Sequence, residues 1–205
     1  MEQRDYTRLK LKIITTTLSF SLVPLFVLGA TIFHQFSVSY KARIEEGLKT
    51  LAENRRNAVD LFFDERVSQL NTLVHTHHLD QLKDETYLSR AFTLMQTKSK
   101  SFVDLGIIDQ DGKHVAYVGP YQLKGLNYGN EEWFHETMLR GIFISDVFMG
   151  FRKLPHFIIA ILRREGDQNW ILRATIDTDI FDGMVKAAQV GQKGDAFVLN
   201  KDNVL

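Results

Sequence analysis

The stretch SFVDLGIIDQDGKHVAYV, residues 101–118, decides the fold. Its first part, Ser101–Asp109, is rich in Val, Leu and Ile, which favour strands. Gln110-Asp111-Gly112 supplies turn chemistry, and Lys113–Val118 returns as a second strand. Asp109-Gln110-Asp111-Gly112 also resembles the start of a calcium loop, but the spaced later ligands and the closing Glu are missing. The stretch therefore predicts a β-hairpin.

Strands and helices continue on the C-terminal side of this hairpin. A loop over residues 119–130 holds Pro120 and three glycines, and a helix follows at Glu131–Arg140 with acidic residues in its first turn and Gly141 at its end. Strands joined by short turns, with helices set apart, indicate an antiparallel sheet of the α+β class. The remaining predicted elements are strands at Ile142–Phe148, His156–Arg163 and Trp170–Ile176, a helix at Asp177–Ala188 and a strand at Gly194–Leu199.

A long helix is predicted on the N-terminal side, from Ser37 to about Asp80. This segment lacks proline, has Gly47 as its one glycine, and repeats apolar side chains at spacings of three, four and seven. A helix of ~44 residues would be about 66 Å long, so it packs either along its own domain or against a twin from a second subunit. We expect a stalk that forms a homodimer, or a helix that breaks at Gly47. A second helix is predicted from Asp84 to Lys98.

The segment Ile13–Phe33 contains no charged residue. Twenty-one helical residues rise roughly 31 Å, which matches the ~30 Å hydrocarbon core of a bilayer. Four basic residues precede the segment and none follows it before Lys41, so the N-terminus is expected in the cytoplasm and the rest outside. A cleaved signal peptide is the alternative, since Leu28-Gly29-Ala30 loosely fits a cleavage site, although the apolar run exceeds the usual 7–15 residues. Either way, the remainder is expected to be exported.

Composition excludes several classes of function. Lys+Arg and Asp+Glu both number 25, so the chain lacks the basic surplus of a nucleic-acid-binding protein, and we expect no nucleic-acid partner. The absence of cysteine excludes disulfides, thiolate zinc sites and cysteine nucleophiles. His75, His77 and His78 are expected to be solvated histidines at a helix end, because no HExxH pattern accompanies them. We therefore expect no catalytic residue, no metal site and no cofactor.

Five short motifs resemble the extracytoplasmic double Cache region of bacterial transmembrane receptors, most closely the members found on sensor histidine kinases. The resemblance covers roughly residues 35 to 205. It implies two stacked PAS-like modules, of which this sequence holds the whole membrane-distal one. The motifs are Tyr117-Val118-Gly119-Pro120-Tyr121, Glu132-Trp133-Phe134, Ser145-Asp146-Val147-Phe148, Pro155-His156-Phe157-Ile158-Ile159-Ala160 and Leu172-Arg173-Ala174-Thr175-Ile176-Asp177.

The resemblance implies a domain order and a location. The expected order is a cytoplasmic stub (1–12), a transmembrane helix (13–33), a stalk helix (34–80), a membrane-distal Cache sensor module (81–190) and the start of a truncated membrane-proximal module (191–205). The sensor would lie in the periplasm, anchored in the inner (cytoplasmic) membrane. A histidine kinase of a two-component system is the expected output. A chemoreceptor and a nucleotide cyclase are the alternatives.

The family's pocket lies between the sheet and the loop-helix segment that covers it. Trp133 and Phe134 match the aromatic pair of the family's Arg-x-Trp-Tyr motif, and Asp177 matches the acid that holds a ligand ammonium. Glu131 stands where the family has Arg, so a cationic or neutral ligand fits better than an α-amino acid, unless Arg173 or Arg152 supplies the missing donor. The expected ligand-binding residues are Tyr117, Tyr121, Tyr128, Glu131, Trp133, Phe134, Asp146, Phe148, Arg173 and Asp177.

Other interpretations of these residues stay open at this point. Phe148 and Phe157 can be plain core residues, and Arg173 can form a structural ion pair with Asp177 or Asp146. At the level of the chain, small-ligand sensing is the first hypothesis. An exported metal-dependent enzyme using the histidines is the second. A structural or partner-binding module, its pocket filled by side chains, is the third.

Overall fold

The computed structural model of the protein describes residues 2–98, 100–151 and 153–186. The chain divides into a first unit that ends at Glu53 and a second unit that begins at Asn54. The helices are α1 (Glu2–Thr76), α2 (Leu79–Lys83), α3 (Glu85–Lys98), α4 (Glu132–Arg140) and α5 (Thr178–Lys186), and the strands are β1 (Phe102–Asp109), β2 (His114–Val118), β3 (Ile142–Ile144), β4 (Phe157–Glu165) and β5 (Gln168–Ile176).

The first unit is helical in all of its described residues. Helix α1 continues through Pro24 and through Gly47, so the break considered at Gly47 does not occur. The hydroxyls of Thr15, Thr16 and Thr17 donate hydrogen bonds of 2.6–2.9 Å to carbonyls four residues earlier, which satisfies them without water. Most of the large apolar side chains described in this unit are exposed. Among the described residues, α1 is the one helix long and apolar enough to cross a membrane.

The second unit is built on a five-stranded antiparallel sheet with strand order β2-β1-β5-β4-β3. The β1–β2 hairpin and the α+β class are as predicted. In the turn, the Asp109 carboxylate accepts hydrogen bonds from the backbone N–H groups of Asp111 (3.1 Å) and Lys113 (2.9 Å). Gly112 has a φ of 82°, a conformation that glycine adopts without strain. Asp109-Gln110-Asp111-Gly112 is therefore a hairpin turn and not a calcium loop.

The third predicted strand is shorter than expected. The sequence predicted Ile142–Phe148, but β3 ends at Ile144. Beyond that point Ser145 N–H donates a hydrogen bond to Ile158 O (3.0 Å), the Ser145 hydroxyl accepts one from Ile158 N–H (2.9 Å), and an isolated bridge joins Phe148 to His156, just before β4. The chain leaves the sheet edge here, which places residues 145–151 over one face of the sheet.

One face of the sheet packs against helices. Trp170, Leu172, Ala174 and Ile176 of β5 point to this face and join a core with α1, α2 and α3. Within α1 the buried apolar positions are Phe62, Leu70, Leu73 and Val74. The C-terminal part of the predicted stalk therefore packs along its own domain, which was one of the two expectations for a helix of this length.

The opposite face is covered by α4 and by two segments that we call the cover segments, residues 119–131 and 145–151. Because side chains alternate along a strand, β5 also contributes Ile171, Arg173 and Thr175 to this side. The apolar cluster here comprises Ile108, Tyr128, Trp133, Phe134, Ile158, Ala160 and Ile171. Helix α4 ends as predicted at Gly141, whose φ is 87° and whose N–H bonds to Thr137 O.

Gly106 on β1 lies directly under the imidazole ring of His114, and a Cβ at residue 106 would overlap that ring. We predict that Gly106→Ala lowers the free energy of unfolding by roughly 1–3 kcal/mol through overpacking. Urea unfolding of the whole chain can be followed by tryptophan fluorescence, because both tryptophans, Trp133 and Trp170, are buried in the second unit.

The matched control is Gly183→Ala, at a position in α5 where a Cβ meets nothing within 4 Å. That change should be neutral or slightly stabilising. In a His114→Ala background, Gly106→Ala should cost less than it does in the wild type. An equal cost in both backgrounds would show that the ring contact is not the reason for the glycine.

Candidate functional site

A small cavity lies between the sheet and the cover segments. About 240 Å³ of space separates its lining side chains, counting the part that opens to solvent, but the centre of a water molecule can reach only about 10 Å³ of it. That is room for about one water. The cavity is lined by Leu123, Tyr128, Glu131, Trp133, Phe148, Gly150, Phe151, His156 and Arg173.

The floor of the cavity is Arg173, in the middle of β5. Its strand neighbours are two small residues, Ala160 on β4 and Gly106 on β1, and the His114 ring lies over Gly106. Arg173 is only 2% exposed, and a buried charge is costly unless an opposite charge accompanies it. Its Nη1 lies 3.7 Å from Oδ1 of Asp104, which is itself fully buried. Arg173 thus forms a structural ion pair with Asp104, a partner that the sequence analysis did not name.

Asp104 is the centre of a polar cluster on this face. The Tyr117 hydroxyl donates a hydrogen bond to Asp104 Oδ2 (3.1 Å) and accepts one from the backbone N–H of Tyr121 (3.1 Å). These bonds tie the first cover segment to the floor. Tyr117 and Tyr121, both predicted site residues, thus lie beside the cavity. Their hydrogen bonds connect them to its floor through Asp104.

His114 is a buried member of the same cluster. Its Nδ1 lies 3.5 Å from the Tyr128 hydroxyl, and its ring packs edge-on against the rings of Tyr117 and Tyr128. Burial, followed by the nearby positive charge of Arg173, lowers the pKa of His114 from 6.5 to about 4, against an opposing effect of Asp104. His114 is therefore neutral at neutral pH.

Aromatic rings form the walls. The Trp133 and Tyr128 centroids are 5.2 Å apart, Tyr128 and Phe151 are 5.3 Å apart, and Phe148 stacks on His156 at 4.5 Å. The Arg173 guanidinium lies 5.4 Å from the Tyr128 ring centroid and 5.8 Å from that of Trp133, within the range of cation–π attraction.

Glu131 contributes a carboxylate at the start of α4. It occupies the N-cap position of that helix, yet its side chain makes no capping hydrogen bond. The side chain is half-buried and lines the cavity. Within residues 2–98, 100–151 and 153–186, no side chain or backbone group hydrogen-bonds or ion-pairs with this carboxylate.

Three other predicted residues lie away from the cavity. Phe134 packs in the second-face cluster, with its ring 6.2 Å from that of Trp133. Asp146 is exposed. Asp177 caps α5, since its Oδ1 accepts a hydrogen bond from Asp179 N–H (2.9 Å). Arg152, the alternative donor, lies outside the described residues.

The structure brings together five of the predicted site residues around the cavity: Tyr128, Glu131, Trp133, Phe148 and Arg173. Sequence reasoning missed Asp104, His114, Phe151 and His156. Asp104 had a usable signal, because a single acid inside the apolar strand FVDLGIID needs a buried partner. The other three had no distinguishing pattern in the sequence.

The histidines at the end of α1 contact carbonyls of that helix or side chains of neighbouring elements, and His75 and His78 are exposed. His75 Nδ1 bonds to Asn71 O (2.8 Å), the His77 ring packs against Tyr87, and His78 pairs with Glu165 of β4. The hydrogen bond from His78 and the one from Leu79 N–H lower the pKa of Glu165 below its ordinary value. Nowhere in the described part of the chain do three His, Asp or Glu side chains group as a metal site would require.

Comparison with known proteins identifies the fold. No family model matches the sequence, and no curated protein matches it. Among solved structures, the chain is similar to the ligand-binding domain of the Campylobacter jejuni chemoreceptor Tlp3 in complex with 4-methylisoleucine, with 14% identity and a TM-score of 0.59. It is also similar to the extracellular domain of a putative histidine kinase, vpHK1S-Z8, with 13% identity and a TM-score of 0.50.

These likenesses cover 78% and 70% of this chain, and the chain in turn spans 68% of the chemoreceptor domain and 58% of the kinase domain. At such identities the likeness concerns the fold. The second unit has the α+β, PAS-like fold of extracellular sensor domains, which confirms the fold that the resemblance predicted.

The lowered pKa of His114 gives the fold a pH dependence of predictable sign. Between pH 6.5 and about 4 the unfolded chain binds a proton that the folded chain does not, so stability falls as the pH drops through this window. The contribution is complete above pH 6.5, and its loss amounts to roughly 3 kcal/mol. We predict that His114→Gln flattens the stability profile between pH 4 and 6.5, as measured by urea unfolding of the whole chain.

His135→Gln, at an exposed position of α4, is the matched control and should keep the wild-type slope. A wild-type slope in the His114 variant would contradict the assignment of the pH dependence to that residue.

Proposed function

We propose that this chain is the extracellular input part of a membrane-bound signalling receptor, which binds a small ligand between its sheet and its cover segments. The proposal rests mainly on the cavity. A mostly aromatic space with a few convergent polar groups is the general form of a small-ligand site, and here it lies on the sheet face opposite the one that holds α1. The chemoreceptor and histidine-kinase domains that share the fold support this proposal.

Ligand entry requires the cavity to open. Small-molecule sites have volumes of about 300–1,000 Å³, whereas water can reach only about 10 Å³ here. The floor lies in the closely packed sheet, so the cover segments make the larger movement when the cavity opens. Gly150, whose φ of 48° is readily adopted by glycine, lies in the second of them and is a natural hinge. The closed cavity is the ligand-free arrangement, and the ligand selects an opened one.

A buried link connects the end of β5 to α1. Arg66 of α1 donates a hydrogen bond through Nε to the Ser101 hydroxyl (2.6 Å), and the Ser101 carbonyl accepts one from Asp177 N–H (2.8 Å). The Arg66 guanidinium also lies 4.3 Å from the Phe62 ring centroid. Arg173 lies on β5 four residues before Asp177, which directly follows the strand. A ligand that displaces β5 therefore also changes the hydrogen bond between Ser101 and Arg66.

The proposed arrangement in the membrane follows the charge bias of the sequence. We place residues 1–12 in the cytoplasm, 13–33 in the inner membrane, 34–80 as the stalk, 81–190 as the sensor module in the periplasm, and 191–205 at the start of a second module. The last of these ranges and residues 187–190 of the sensor module lie outside the described residues. A histidine kinase of a two-component system is the proposed output, with a chemoreceptor or nucleotide cyclase as alternatives.

A partner-binding module is the second candidate function. The small size of the cavity favours it, because a space already filled by side chains is what such a module would show. The two candidates differ in their response to small molecules, since only the sensor opens its cavity.

We predict that the whole chain in nanodiscs binds at least one compound from a panel of amines, organic acids and amino acids. A ligand at 100 times its dissociation constant stabilises the folded state by about 2.7 kcal/mol, which raises the melting temperature by several degrees. Intrinsic fluorescence is the readout, because Trp133 lines the cavity and its emission should change on binding.

Phe148→Ala should remove the response, because that ring forms a wall of the cavity. Leu139→Ala is the control, since Leu139 is 77% exposed on α4. A well-folded chain that responds to no compound would favour the partner-binding module.

We also predict that the stalk forms a homodimer. Ile44 and Leu48 lie one turn apart on α1 and are 45% and 44% exposed. Because the chain has no native cysteine, single-cysteine variants can test this directly. Leu48→Cys in nanodiscs should form a disulfide-linked dimer on mild oxidation. Glu46→Cys, about 200° around the helix, should form much less. Equal crosslinking at both positions would indicate random collision.

A further inference from the structure

His114 of β2 is the residue to which the first cover segment, residues 119–131, is attached. Its backbone N–H donates a hydrogen bond to Leu126 O (2.8 Å), and its carbonyl accepts one from Gly125 N–H (2.9 Å). Its Nδ1 lies 3.5 Å from the Tyr128 hydroxyl, and its ring packs edge-on against the Tyr128 ring with 5.5 Å between centroids. A change in the state of this ring therefore acts first on the cover segment that contacts it.

The other ring nitrogen of His114 has no such contact. The residue is fully buried, and its Nε2 lies against Gly106 of β1, whose backbone is paired with Tyr117 on one side and Arg173 on the other. Within the described residues this Nε2 has no hydrogen-bond partner. Because Nδ1 faces the Tyr128 hydroxyl, it can carry the hydrogen of the neutral ring, which leaves Nε2 as the site of a second proton. In the closed arrangement that N–H would be buried without an acceptor, which is costly.

The charged groups around the ring oppose its protonation on balance. Burial, followed by the positive charge of Arg173, lowers the pKa of His114 to about 4. The Asp104 carboxylate, the Leu123 backbone and Glu85 act in the opposite direction but more weakly. The titratable and charged groups that face the ring are Asp104 of β1, Tyr117 of β2, Arg173 of β5, Tyr128 of the first cover segment and Glu85 of α3.

The two arrangements of the first cover segment therefore differ in their affinity for a proton. Movement of the segment away from the ring admits water to His114, which removes the cost of burial and returns its pKa towards the ordinary value of 6.5. The open arrangement then binds a proton more tightly than the closed one does. By linkage, proton binding favours the open arrangement.

We propose that His114 is a regulatory proton-binding site, at which a proton taken up on Nε2 releases the first cover segment and opens the cavity from that side. This inference rests on the proposed function and deepens it, because it names the proton as a regulator of the same cavity. The second cover segment is held separately, by the backbone bridge between Phe148 and His156. Acid should therefore leave the second segment in place.

The test is hydrogen–deuterium exchange of the whole chain in nanodiscs at about pH 7.5 and about pH 5, with rates corrected for the pH dependence of chemical exchange. The closed arrangement is fully favoured above pH 6.5 and loses this advantage as the pH falls towards 4. We expect the opening equilibrium of residues 119–131 to rise roughly 30-fold between the two conditions, the factor that follows from these two pKa values. Residues 145–151 and the amides of β5 should change much less.

His114→Gln removes the titrating ring and should make the corrected exchange of residues 119–131 the same in both conditions. His135→Gln is the matched control, because His135 is exposed on α4, and it should keep the wild-type response. Blue-shifted tryptophan emission verifies that each variant is folded. If the His114 variant does not fold, the wild type decides, by whether the acid effect is confined to residues 119–131.

The outcomes separate this inference from the function on which it rests. An equal acid effect in residues 119–131 and throughout β5 would show that the proton lowers only the global stability, and would overturn the regulatory site. Unchanged exchange of the first cover segment in acid, or a wild-type response in His114→Gln, would overturn it as well. Each of these results leaves small-ligand sensing in place, since the panel of compounds tests that function. A panel without a hit would contradict small-ligand sensing, whereas a local acid response would still establish the proton site.

Discussion

Strand β5 is the centre of the sheet and is buried on both faces, and the rest of the second unit is arranged around this constraint. Its residues alternate between a helix-side core, through Trp170, Leu172, Ala174 and Ile176, and the cavity side, through Ile171, Arg173 and Thr175. An arginine at such a position needs a buried counter-charge and space for its guanidinium. Asp104 supplies the charge, and the neighbouring residue on β4, Ala160, is small. The polar cluster and the cavity both follow from this one residue.

The same strand joins two parts of the domain that a receptor must connect. On one side, Arg173 forms the floor beneath the cover segments. At its end, Asp177 bonds to Ser101, which in turn holds Arg66 of α1. Cores are closely packed and deform little, so a shift of the floor is transmitted rather than absorbed. The buried Arg66 contributes here as a hydrogen-bond donor in a helix that otherwise presents apolar side chains to the sheet.

Much of the fold could be predicted from the sequence, because its signals are local. Apolar periodicity predicted the stalk part of α1, and turn residues predicted the β1–β2 hairpin and the end of α4 at Gly141. The partner of Arg173 could not be predicted, since it depends on which strands lie side by side and in what register. The early end of β3 and the capping role of Asp177 could not be predicted either, because they also depend on how segments pack together. The family resemblance marked Trp133 and Glu131 as site candidates, and Tyr128 and Phe148 were candidates as aromatic residues, but Phe151 was missed. The closed state of the cavity is a property of packing that no sequence pattern records.

The central claim is that the sheet couples the cavity on one face to α1 on the other. Hydrogen–deuterium exchange of the whole chain in nanodiscs tests it most directly, with and without the panel compound that raises the melting temperature most. The account predicts changed exchange in residues 119–131 and 145–151, accompanied by a change in residues 62–74 of α1. Protection confined to the cover segments, with α1 exchanging as before, would show that ligand binding stops at the sheet and would contradict the account.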